Sequence, residues 1–253
     1  HNVTVNSSSN VSGAITIASG GTLTIASGDL TVGCTLNNTP LTNNGTLTVT
    51  GGTLNVNGNI VIASGATFNQ SGGEITIDGN AAGVAASSVP TGTNLLRINS
   101  NLLNLTGGRI TIVDPHAGSS TSDYAIGYST SSLHYACGTG HTTRFGNGVS
   151  TDPGGHTNGF YNYLWVSSGY LSLGNVEIDA LTGTNRFVKS TSTIGIMGNL
   201  NIISGEYQLA STTYIAGNIS NGGILTNTST LILGTWSNAT GSATSNAQTI
   251  SGL

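Results

Sequence analysis

One short phrase, apolar–polar–apolar and closed by Gly, Asn or Ser-Gly, recurs along most of this chain and leaves few folds open to it. Its instances include Ile15-Thr-Ile17, Leu23-Thr-Ile25, Leu30-Thr-Val32, Leu47-Thr-Val49, Leu54-Asn-Val56, Ile60-Val-Ile62, Ile75-Thr-Ile77 and Ile110-Thr-Ile112. Alternation with a period of two means a strand with one buried face. The apolar positions hold Leu or β-branched residues, which suit strands. Gly and Asn interrupt every window long enough for a helix.

The phrase returns too soon for hairpins in a sandwich, whose turns come about every 8–12 residues. Neighbouring units here are mostly six to eight residues apart, and Leu47, Leu54 and Ile60 are followed by Phe68 and Ile75 at the same cadence. Three units make a period near 21 or 22 residues. Short strands joined by sharp Gly or Asn corners, coil upon coil, are the pattern of a parallel β-solenoid. The expected fold is all-β: a right-handed parallel β-helix with about three short strands per coil, spanning residues 1–253 as a single solenoid segment. The stretch Asn43–Gly65, NNGTLTVTGGTLNVNGNIVIASG, reads as one coil. Only 6% of the residues are charged. Low charge suits stacking, because each outward residue lies above and below a neighbour of its own kind.

Composition also excludes partners. The five basic residues, Arg97, Arg109, Arg144, Arg186 and Lys189, are scattered over a chain of net charge −4, so no basic patch exists for nucleic acid. No apolar run has the length of a membrane span, so no membrane insertion is expected. Cys34 and Cys137 would lie several coils apart and are read as free thiols. The chain starts at His1 and ends in QTISGL, within a further alternation, so it is read as a piece of something longer.

The cadence breaks between Asp114 and Tyr161, and residues 114–161 are expected to form a loop-rich excursion from the solenoid. A smaller loop is expected over Asn80–Thr93. Four of the five histidines (His116, His134, His141, His156) fall in the larger break, with Tyr124, Tyr128, Tyr135, Asp114, Asp123, Asp152 and Arg144. One reading has the aromatics covering the rod while the histidines satisfy loop carbonyls. A second builds an acid–base site from Asp, His and Arg144, or a metal site from the histidines, although no ligand spacing such as HExxH occurs. A third is a ligand surface of Tyr124, Tyr128, Tyr135, His134, His141, Arg144 and His156, stacking on a surface glycan or a protein. A nucleophilic Cys137 beside His134 or His141 lacks any matching signature.

On the regular coils the acidic residues Asp29, Glu74, Asp78, Glu177, Asp179 and Glu206 stand apart. Only Glu177 and Asp179 share a strand side, and they read as a solvated pair. No catalytic residue, cofactor or metal is therefore assigned. The alternative is a carbohydrate-active β-helix enzyme, a polysaccharide lyase or hydrolase, with its site near the 114–161 excursion. A more distant alternative is an ice-binding solenoid, from the pairs Thr22/Thr24 and Thr46/Thr48. Coil lengths vary, however, and the outward positions change to Asn55, Asn57 and Val61.

The phrases GGTLTIASGDLTV, NNGTLTVTGGTLNVNGNIVIASGATFNQSGGEITIDGN and SNAQTISGL resemble repeat regions of large surface proteins of Bacteroidota, type IX secretion cargo that includes gliding-motility adhesins. The resemblance covers most of the chain outside 114–161. It implies export to the cell surface, neighbouring solenoid segments in one parent chain, dealings with the export machinery, and a structural or adhesive role without catalysis. No sorting domain of that system is present in the sequence, and no catalytic residue carries over.

Overall fold

The computed structural model describes residues 1–33, 40–78, 95–114, 125–129, 134–149, 161–166, 170–180, 187–190, 192–237, 242–244 and 250–251. Every regular element among them is a strand. The strands form parallel sheets of 13, nine and five strands and one two-stranded antiparallel ribbon, Thr235–Ser237 with Ser242–Thr244. This is a parallel β-solenoid. Among the described residues no helix is long and apolar enough to cross a membrane.

The chain visits three faces in turn. Asn43–Gly65 is one full coil: Thr46–Val49 lies on the first face, Thr53–Asn57 on the second and Ile60–Ile62 on the third. The first two faces fuse into one sheet because two long strands, Thr67–Asp78 and Leu102–Asp114, bend round the corner between them. Double glycines make that bend. At Gly73 (φ 65°) and Gly108 (φ 77°) the backbone enters the left-handed region. A Cβ there would lie 2.6 Å from the Gly51 carbonyl oxygen and 2.5 Å from that of Gly72, so these two positions admit only glycine.

Inward residues stack in files, as the alternation requires. Leu23, Leu47 and Phe68 are register partners, as are Leu30, Leu54 and Ile75, and Leu41 and Ile60. Leu47, Leu54, Ile60, Phe68 and Ile75 have no exposed surface. The third face carries nine strands, which gives a rod roughly 40 Å long at the usual inter-strand spacing. Lower down, Gly-Asn corners take over. Asn175 Oδ1 accepts from the Asn199 amide (2.9 Å) and Asn199 Oδ1 from the Asn218 amide (2.9 Å), so an asparagine ladder ties successive coils together.

The stretch 114–161 is in part rod. Ile126–Tyr128 pairs with Leu96–Ile98 on the third face, His134–Ala136 with Tyr170–Leu173 on the first, and Gly140–Phe145 with Leu102–Asp114 on the second. A single excursion was expected because His, Tyr and Gly hide the aliphatic alternation at these strands. The segments 34–39, 79–94, 115–124, 150–160 and 181–186 lie outside the described residues. All five fall between a second-face strand and the next third-face strand in chain order.

Candidate functional site

Parallel stacking converts distant sequence positions into neighbours about 4.8 Å apart. On the outer side of the second face it gathers most of the charge of the described residues. Glu74 sits opposite Arg109, Thr111 opposite Arg144, and Arg144 opposite Glu177. Like charges at such spacing repel; Glu74–Arg109 and Arg144–Glu177 oppose unlike signs, while Asp78 and Asp114, at the strand ends, are like-charged register partners.

Arg109 grips Glu74 with two parallel hydrogen bonds, Nη2 to Oε2 at 2.6 Å and Nε to Oε1 at 3.2 Å. Thr111 Oγ1 donates to Glu74 Oε1 at 2.7 Å. Burial alone would raise the Glu74 carboxyl, but the bonds from Arg109 and Thr111 and the Arg109 charge outweigh it and hold it below the usual carboxylate value. Arg144 Nη2 donates to Asp179 Oδ2, and its Nε lies 4.0 Å from Glu177 Oε2. Ser204 Oγ fills the other Asp179 oxygen at 2.9 Å. The backbone at Gly148 passes over this carboxylate, and its amide donates to the Asp179 carbonyl at 2.9 Å. Past a register shift between Ile178 and Asp179, Asp179 lies beneath this backbone at 8% exposure. The expectation of a solvated Glu177–Asp179 pair is corrected accordingly: Asp179 is buried and ion-paired.

Chemically this strip holds ionised carboxylates already served by cations and hydroxyls. Glu74 is tuned away from proton donation at neutral pH, the reverse of what a general acid needs. Among the described residues no three His, Cys, Asp or Glu side chains converge as a metal site would require. Acids that stand apart along the chain thus form a charged ladder across it. Sequence spacing hid this, because Glu74 and Arg109 are 35 residues apart where the cadence is 21.

The residues expected to form a ligand surface are dispersed. Tyr128 and His141 have no exposed surface, because both fall on inward positions of their strands. His141 Nε2 lies 3.2 Å from Gln70 Oε1, and Gln70 Nε2 donates to the Arg109 carbonyl at 3.0 Å. The Gln70 oxygen must then accept, which assigns the imidazole hydrogen to Nε2. Burial drives the His141 pKa down to about 4, so the ring is neutral at physiological pH. Tyr135 packs against the core, and its hydroxyl accepts from the Leu105 amide at 2.6 Å, filling a gap in the first-face ladder. Burial pushes this phenol up to about 12. Arg144 points outward, three residues from inward His141, and is committed to Asp179. An acid–base pairing of His141 with Arg144 is therefore not assembled. His134 lies in a first-face strand; its side chain, and Tyr124, His116, Asp123, Asp152, His156 and Cys34, lie outside the described residues. Cys137 is a buried free thiol, raised by burial to about 12, and so is no nucleophile at neutral pH.

Fold and site together define a parallel β-solenoid with an ion-paired ladder on one face. No family model, curated protein or solved structure matches the chain.

Proposed function

We propose that this chain is a structural and adhesive rod segment of an exported bacterial cell-surface protein. The observation that carries this reading is the aliphatic file Ile15, Leu41, Ile60, Leu96, Ile126 and Leu164 on a third face of nine parallel strands, with Glu74 and Asp179 of the second face held in ion pairs. Such a body transmits length and presents repetitive surface, and its stability is spread over many equal interfaces. The longest intervals between strands all fall between second-face and third-face strands, and the parallel stack continues after each of them. A surface glycan or protein is the ligand class such segments meet.

Incubation of the purified chain with a panel of acidic and neutral polysaccharides tests the reading. No change in polymer length is expected. Depolymerisation that disappears in Glu74→Gln or Asp179→Asn would replace the adhesive reading with the lyase or hydrolase one.

A further inference from the structure

The outer side of the first face carries two straight files of small uncharged polar residues over its first four strands. One file is Asn2, Thr22, Thr46 and Thr67; the other is Thr4, Thr24, Thr48 and Asn69. Coil length does vary, since these register partners are 20, 24 and 21 residues apart, yet the pairing of these strands has no shift. Part of the variation falls between Gly33 and Leu41, which end a second-face strand and begin a third-face one. Coil-length variation therefore does not spoil the array, as the sequence alone implied it would.

The array is regular in register and backed by a packed layer. Inward Leu23, Ile25, Leu47, Val49 and Phe68 anchor it from beneath, each at most 6% exposed. Its repeats are about 4.8 Å across strands and about 6.7 Å along them. A ligand that exploits both repeats must itself be periodic in two directions. A single glycan chain matches only one. Tetrahedral water with an O···O distance of about 2.75 Å repeats at about 4.5 Å between second neighbours and about 7.3 Å along the hexagonal axis of ice. Both repeats lie within about a tenth of those of the protein. The chemistry agrees: each Thr offers a hydroxyl that donates and accepts, beside a methyl group. None of the eight positions is charged, whereas the second face carries Glu74, Arg109, Arg144 and Glu177, whose ionic hydration would break such a lattice.

We propose that the first face of the N-terminal coils is an ice-binding surface. The inference is independent of the adhesive role, and either can fail alone. Its test is partition of the purified chain into a slowly growing ice hemisphere, together with inhibition of ice recrystallisation. The wild-type chain is expected to enter ice and keep crystals small. Thr24→Lys and Thr48→Lys, placed mid-array, are expected to lose both effects to the level of a non-binding globular control. Asn201→Lys on the second face is expected to keep them. Circular dichroism checks each fold, and Thr22→Lys with Thr46→Lys replaces any variant that does not fold. A wild-type chain excluded from ice overturns the proposal. So does a folded Thr24→Lys or Thr48→Lys variant that still partitions, or sedimentation showing that this face is buried in a dimer.

Discussion

Gln70 and His141, 71 residues apart in the chain, meet inside the rod with Oε1 and Nε2 3.2 Å apart. Both are fully buried, and the pair sits at the corner where the first face turns into the second. His141 is register partner to Gly108, so it stands where the coil above uses a left-handed glycine. Its Nδ1 has no hydrogen-bond partner among the described residues.

This buried ring makes stability depend on pH. The unfolded imidazole titrates near 6.5, the folded one near 4. Between these values the unfolded chain binds the extra proton. His141 therefore favours the folded state fully above about pH 6.5, and that contribution is lost as pH falls to about 4, for a total of about 3 kcal/mol. Urea melts at pH 7, 5.5 and 4 should show the loss, and His141→Gln should flatten the curve over this window. A wild-type curve already flat there would refute a buried neutral His141.

The two arginines of the charged ladder should differ in worth. The Arg109 and Glu74 side chains are 40% and 29% exposed, so Arg109→Ala should cost about 1 kcal/mol or less. Arg144→Ala strands Asp179, whose side chain is 12% exposed, and should cost about 2 kcal/mol or more. Chemical denaturation of both variants compares them directly, and the reverse order would contradict the assigned pairing.

Phe68 fills the file that Leu23 and Leu47 begin, with no exposed surface. Phe68→Ala should cost about 3–5 kcal/mol in the same assay. A cost near zero would mean that residue 68 does not face the core.

The Cys137 thiol, buried and raised to about 12, should resist alkylation at pH 8 in the native rod and react promptly in denaturant. Peptide mapping by mass spectrometry reads this residue alone. Rapid native labelling would place it at the surface.

What could be read from the sequence follows from how each feature is encoded. The coil Thr46–Ile62 and its successor from Thr67 were legible because their aliphatic residues keep both the alternation and the 21-residue cadence. His134–Ala136 and Gly140–Phe145 were not, because aromatic, polar and glycine residues occupy those strand positions. The charged ladder was hidden for a different reason. Glu74 with Arg109, and Arg144 with Asp179, are each 35 residues apart, an interval lengthened by the long stretches between second-face and third-face strands. Alternation within Gly140–Phe145 by itself turns His141 inward and Arg144 outward.

The surface role is tested most directly on the intact cells that make the protein. Membrane-impermeant biotin should label the chain without lysis, and an in-frame deletion of the segment should lower the number of cells retained on a surface under flow. Labelling only after lysis, with retention unchanged by the deletion, would contradict the account.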